Sequence, residues 1–238
     1  IKPLPNLDYK IVCGNSLLSV NKQNLFVDYN LKQIEKLKDE LFNETNIRKK
    51  QEYKEQIDKL ISEVTDNNKT FDFEIYFSEI FEEDQKGFDI VIANPPYVGE
   101  KGNEGIFHEV ANMELGNKFY TRWMDYFYYF FHRGIDLGKK RAIISFISTN
   151  YFLTATGGTK LRTDLKHRTI IKHLINFNEL KIFEAAQGQH NMITLLQKGQ
   201  SENDFAENCI TYRQGISTQK ILQTILNGLD KESSYFKV

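Results

Sequence analysis

Apolar residues recur along this chain with two different spacings. Between residues 28 and 64 they fall at Leu31, Ile34, Leu37 and Leu41, then at Tyr53, Ile57, Leu60 and Val64, amid dense Lys and Glu. Spacing of three and four residues marks one face of a helix, so an amphipathic helical pair is predicted, with a turn near 43–46. Short β-branched and aliphatic runs predict strands at 9–13, 88–93, 142–147, about 171–177, about 191–197 and 208–213. The aromatic stretch 119–137 predicts a helix closed by Gly138 as a C-cap, with its stripe of Tyr120, Trp123, Phe127, Phe130 and Phe131 read as core. Further helices are expected near 160–167 and 218–226. Gly99, Gly102, Gly105 and Gly116 stand among polar residues and predict a flexible loop over 98–116.

Strands alternating with helices argue for an α/β fold, a parallel sheet with helices on both faces. The helical hairpin, about 28–66, then reads as an insertion. Residues 88–93 (FDIVIA) form a run expected of a central strand covered on both faces. Asn94-Pro95-Pro96-Tyr97 follows without a gap, at the strand's carboxyl end, where open α/β sheets bind ligands. Two prolines fix φ twice and remove two donors, and Pro95 pushes Asn94 toward an extended backbone. The loop therefore holds its shape before a substrate arrives.

A planar amino nitrogen suits those residues. Its lone pair is delocalised into the neighbouring π system, and it carries two N–H donors. With the Asn94 side-chain oxygen accepting one and the Pro95 carbonyl the other, the nitrogen is drawn toward tetrahedral geometry and its lone pair is freed for an electrophilic methyl. Tyr97 offers a flat face for a stacked base.

The stretch 88–98 (FDIVIANPPYV) resembles motif IV of the class I N6-adenine DNA methyltransferases, in the branch fused to type IIG restriction enzymes. Residues 10–18 (KIVCGNSLL) resemble that family's motif III, and 71–77 (FDFEIYF) the segment leading into motif IV. Residues 120–137 resemble motif V, 141–152 (RAIISFISTNYF) motif VI, 160–166 the helix that follows, and 176–196 motifs VII and VIII. The resemblance covers roughly residues 7–200. It implies a Rossmann-like class I methyltransferase sheet whose last strands form an antiparallel edge. It also implies S-adenosylmethionine as cofactor, contacted by Asn15, Ser16 and Asn94, and a flipped adenine of double-stranded DNA as substrate. Asn94, Pro95, Pro96 and Tyr97 are the catalytic set by this resemblance. A second aromatic is implied opposite Tyr97: Phe183 matches best and His190 is the alternative, while Phe183 is also readable as a core residue at a strand end.

The family's glycine-rich motif I has no counterpart here. No G-x-G ends an apolar strand, and the chain opens on Ile1. It therefore reads as a partial catalytic domain, 1–200, holding the base-binding half, with 201–238 as a linker toward a target-recognition domain. The missing N-terminal and target-recognition regions of the same protein are its expected partners, and the fragment alone is expected to be inactive.

At 238 residues, 40% hydrophobic and 26% charged, the chain has ordinary globular composition. A net charge of −1 argues against a stand-alone DNA-binding module, less so against a fragment whose reading surface lies elsewhere. The basic groups at 139–141 and at Arg162, Lys166, His167, Arg168 and Lys172 read as solvated faces. Cys13 and Cys209 are too far apart for a zinc site, and Cys13 is read as a core thiol. No metal is expected. Nor is a membrane partner, since the longest apolar stretches are strand-sized, and a cytoplasmic site follows. Two other readings use the same residues: methylation of RNA or of protein glutamine by an NPPY loop, and a non-catalytic DNA- or partner-binding piece.

Overall fold

The computed structural model describes residues 8–20, 25–65, 67, 70–81, 86–184, 189–201 and 205–238, without the side chains of 25–28. Residues 185–188, inside the stretch matched to motifs VII and VIII, and residues 1–7 lie outside the described residues. Two compact units divide between residues 86 and 87.

The first unit is built on the hairpin that the helical spacing predicts. Helices α1 (Leu25–Asn43) and α2 (Ile47–Val64) bury Ile34, Leu41, Ile57, Ile61 and Val64 together with Ile75. Asn46 starts α2 by accepting from the backbone N–H groups of Arg48 and Lys49 at 2.9 and 3.3 Å, which satisfies two of the helix's orphan donors. Two short helices follow, α3 (Phe73–Tyr76) and α4 (Ser78–Phe81). The ammonium of Lys38 donates to the carbonyls of Ile75 and Tyr76 that end α3, at 3.1 and 2.7 Å. Burial pulls that ammonium down to about 8.

Residues 9–13 are not a strand. They run through a turn, with Tyr9 at φ 58, and Cys13 is exposed instead of packed in a core. An extended segment needs a ladder partner for its backbone groups, and none pairs with it among the described residues.

The second unit holds a six-stranded mixed sheet in the order β1-β2-β5-β3-β6-β8. Its strands are β1 (Phe88–Ala93), β2 (Gly138–Thr149), β3 (Thr169–Asn176), β5 (Asn191–Lys198), β6 (Glu207–Thr211) and β8 (Ser233–Lys237). β4 (Leu180–Lys181) and β7 (Gly215–Ile216) pair separately. β1 and β2 run parallel, and β5 lies antiparallel between β2 and β3. The expected α/β sheet with antiparallel late strands is therefore present. Residues 201–238, expected as a linker, carry β6, α9 (Gln219–Leu226) and β8, which extend the sheet beyond β3.

β1 is an edge strand among the described residues, not the covered central strand its composition suggested. Ile90 and Ile92 are 60% and 76% exposed. The stretch 98–116 is also more ordered than its glycines implied, forming α5 (Glu104–Ala111) and the first half of α6 (Glu114–Phe119). Phe107, Val110, Leu115 and Phe119 are its buried spacing. A Cβ on Gly116 would sit 2.1 Å from the Val110 carbonyl, so that glycine serves close approach between the two helices.

The long aromatic helix is broken. α6 stops at Phe119, residues 120–126 are irregular with Trp123 at φ 62, and α7 runs Phe127–Leu137. Gly138 is extended and opens β2 instead of capping in the left-handed region. α7 packs on the sheet through Phe131 against Phe146 and Phe152, with centroids 4.8 and 5.6 Å apart. Trp123, read as core from its stripe, is instead 67% exposed.

α8 (Thr159–Arg168) is locked to α7 by charge. His132, fully buried and stacked on Phe119, lies 2.6 Å through Nδ1 from Asp164, and Arg168 holds the same carboxylate through Nε and Nη2 at 2.6 and 2.5 Å. Burial works to raise the Asp164 carboxyl, but these partners hold it down at about 2, while burial lowers His132 and keeps it neutral. Arg168 also bonds Asp136, so this member of the predicted basic face is spent internally. No helix among the described residues is long and apolar enough to cross a membrane.

Candidate active site

The NPPY loop leaves β1 at Ala93, whose register partner on β2 is Phe146. Asn94 is exposed, Pro95 buried, Pro96 exposed and Tyr97 half-buried. The Tyr97 hydroxyl lies 2.9 Å from Asn94 Oδ1 and 3.1 Å from the Ile147 carbonyl oxygen, so the loop folds back over the carboxyl end of β2. A phenol carries one proton, and only one of these two acceptors takes it at a time. Burial pushes the phenol up to about 12, with the nearby Asn191 carboxamide acting in the opposite sense, so the proton is present at neutral pH. The Tyr97 ring meets Phe127 edge-on, centroids 6.1 Å apart at 79°.

Beyond Tyr97 the chain is tied to the segment preceding α7. Tyr126 N–H donates to the Val98 carbonyl at 2.8 Å, Gly99 bridges Asp125, and Glu100 N–H donates to the Met124 carbonyl at 3.2 Å. These main-chain tethers and the Ile147 contact all belong to residues 88–149, with the Asn191 carboxamide of β5 close to the Tyr97 hydroxyl.

Asn191 and Thr149 are register partners at the carboxyl end of β2. Both are buried, and the Asn191 amide atoms and Thr149 Oγ1 have no hydrogen-bond partner in strict geometry. Buried polar atoms are nearly always satisfied, so this end of the sheet is a polar floor. Neither residue was singled out from sequence, nor was the Ile147 carbonyl, since main-chain acceptors leave no trace in residue type.

Of the two aromatics expected opposite Tyr97, His190 lies one residue before Asn191, its ring 6.1 Å from Tyr151 and its carbonyl accepting from Asn150 N–H at 2.9 Å. Phe183 is half-buried just past β4, and no ring contact joins it to Tyr97 among the described residues. Asn15 and Ser16 belong to the first unit. Asn15 is exposed in a tight turn, its Oδ1 accepting from Leu17 N–H at 3.2 Å and its carbonyl from Leu18 N–H at 3.1 Å. Gly14 packs this turn on Phe71, where a Cβ would meet the ring at 2.4 Å. An exposed carboxamide on a packed turn fits the adenine end of a nucleoside cofactor. A glycine cradle for the rest of such a molecule has no counterpart in this sequence.

Residues 10–183 match the family described as Eco57I restriction-modification methylase. The chain belongs to that family. Among curated relatives of this Eco57I-type chain, the type II methyltransferase M.HincII of Haemophilus influenzae is 31% identical over 112 residues, 47% of this chain and 22% of its own length. The type II restriction enzyme and methyltransferase RM.Eco57I of Escherichia coli is 26% identical over 98 residues, 41% of this chain and 10% of its own. The chain therefore spans a minor part of the relatives it matches. Among solved structures, the type IIG restriction endonuclease BpuSI aligns over 63% of this chain and 19% of its own, with a TM-score of 0.43 and 15% identity.

Proposed function

We propose that this chain forms the base-gripping part of an N6-adenine DNA methyltransferase of a restriction-modification enzyme. The substrate is an adenine flipped out of double-stranded DNA, and S-adenosylmethionine supplies the electrophilic methyl group. One observation carries this reading. The Asn94 carboxamide is exposed at the carboxyl end of β1, while Tyr97 and the two prolines hold its backbone and side chain from behind.

The Tyr97 proton gives the arrangement its chemistry. Ile147 offers only an acceptor, whereas a carboxamide has both an acceptor and donors. When Tyr97 donates to Ile147, a half-turn of the Asn94 amide places its NH2 against the phenol oxygen, at the 2.9 Å the oxygen now occupies. Its Oδ1 then faces the substrate. That oxygen and the Pro95 carbonyl accept the two N–H groups of the adenine amine, oppose its delocalisation and hold its lone pair in one direction. Fixed acceptors need no reorganisation as charge develops on the amine. For the cofactor, Asn15 and Ser16 are the residues suited to contact its adenine end, and Asn94 the one suited to meet its methyl group. The Tyr97 ring, with His190 or Phe183 opposite, receives the extruded base and offsets part of the unstacking.

The test is methyl transfer by the complete protein into duplex DNA, with digestion to nucleosides and mass spectrometry. N6-methyladenine formed by the natural protein and lost in Asn94→Ala supports the reading. Label in cytosine, in RNA or in protein glutamine instead would overturn it.

A further inference from the structure

Trp123 is the single tryptophan of the 238 residues, and the fold places it against ordinary packing logic. Its indole is 67% exposed while the aromatic rings of α7 at Phe127, Tyr128, Tyr129 and Phe131 are buried. Its backbone is left-handed at φ 62, a region that costs a bulky residue and persists only where neighbours impose it. Here they do. The Glu100 carboxylate accepts both the Trp123 N–H and the Tyr120 hydroxyl. Gly157 lies so close to the Trp123 carbonyl that a Cβ there would sit 2.4 Å away. Strain and an acidic clamp together turn a large apolar ring toward solvent.

The surroundings identify what that ring meets. The Arg122 guanidinium stands 4.9 Å from the indole centroid and stiffens it. The abutting start of α8 brings Lys160, whose ammonium bonds the Lys118 carbonyl at 3.1 Å, so exposed cations gather on this segment in a chain of net charge −1. The same segment is bonded to the exit of the NPPY loop through Val98, Gly99 and Glu100. An aromatic face with cations beside it is how proteins hold a nucleobase and its phosphates without reading sequence.

We infer that Trp123, backed by Arg122, stacks on a nucleobase of the bound DNA other than the target, with Lys118 and Lys160 facing the phosphate backbone. This rests on the proposed DNA substrate and adds a contact outside the catalytic loop.

The test titrates the complete protein with a mixed-sequence 30-base-pair duplex and follows tryptophan emission, using Trp123→Phe as the background for any tryptophan elsewhere. The Trp123 signal is expected to be quenched on binding. Trp123→Ala is expected to weaken DNA affinity about 5- to 150-fold, the range of losing one stacked base, with Trp123→Phe recovering most of it and thermal unfolding unchanged for Phe. Unquenched emission, or Trp123→Ala and Trp123→Phe both binding like the natural protein, would overturn the inference. Adenine methylation together with unquenched emission sinks this contact alone, whereas quenching without methylation leaves the contact standing and sinks the catalytic reading.

Discussion

Replacing Tyr97 by Phe separates the two jobs the structure gives this side chain. The hydroxyl is shared between Asn94 Oδ1 at 2.9 Å and the Ile147 carbonyl at 3.1 Å, while the ring packs edge-on against Phe127. Tyr97→Phe keeps the ring and deletes one proton and one acceptor. The net worth of one such hydrogen bond is about 0.5–1.5 kcal/mol. Single-turnover methylation is therefore expected to fall about 2- to 12-fold, because the Asn94 amide loses the partner that orients it. The same loss is expected to lower Tm by about 1–6 °C for a chain of this size. Base extrusion, read with 2-aminopurine at the target position, is expected to stay at the natural level. Tyr97→Ala removes the ring as well, and stacking adds about 1–3 kcal/mol, so extrusion and methylation are expected to fall together by a further 5- to 150-fold. Tyr97→Phe at full rate with unchanged Tm would refute the orienting role of the hydroxyl. Equal damage from Phe and Ala would refute the role of the ring.

Asn94→Ala is expected to reduce single-turnover methylation on the order of 10²-fold, the scale of one preorganised transition-state contact, while filter-binding affinity for duplex DNA changes less than about 3-fold. Acid is expected to destabilise the second unit in two windows, followed by thermal melts against pH. The depressed His132 loses stability as pH falls through about 6.5, where the unfolded imidazole takes a proton. Asp164, held at about 2, contributes stability above its unfolded value near 3.8 that is lost as pH falls toward 2, on the order of 2 kcal/mol; an Asp164→Asn protein should lack the lower window. Gly116→Ala, with its Cβ 2.1 Å from the Val110 carbonyl, is expected to cost about 1–3 kcal/mol, whereas Gly105→Ala, with nothing within 4 Å, is expected to add up to about 1 kcal/mol in urea unfolding.

What residue type and spacing encode was legible, and what a distant partner imposes was not. The hairpin showed because Ile34, Leu41, Ile57 and Val64 repeat on one face, and the core they form, with Ile61 and Ile75 added, lies within the hairpin and its short neighbours. The strands 88–93, 142–147 and 191–197 appear within a few residues of β1, β2 and β5 because their aliphatic runs are local. Residues 9–13 have the same aliphatic character and form no strand, since a ladder needs a second chain segment. The break before α7 was hidden for a similar reason: Glu100, some twenty residues upstream, takes the Trp123 N–H that a continuous helix would have used. Glycines misled over 98–116 because Gly116 permits contact and not motion. At the site itself, Asn94 to Tyr97 were legible as a motif, whereas the Ile147 carbonyl and the Asn191 amide beneath them are known only from the register of β2 against β5.

That register bears on how the site keeps its shape. β1 is an edge strand among the described residues, with Ile90 and Ile92 exposed, and a strand paired on one side alone is a poor platform for a fixed loop. The loop does not depend on it. Pro95 and Pro96 set the backbone, Tyr97 reaches the Ile147 carbonyl, Val98 accepts from Tyr126, Gly99 bridges Asp125 and Glu100 reaches Met124. All these partners lie on β2 or just before α7. The stiffness of the loop is therefore built largely within residues 88–149, and a perturbation of β1 should reach the orientation of Asn94 through Ala93 and through the ladder that pairs β1 with β2. Ile92→Lys, on that edge, is accordingly the control that separates damage to the strand from damage to the amide acceptor.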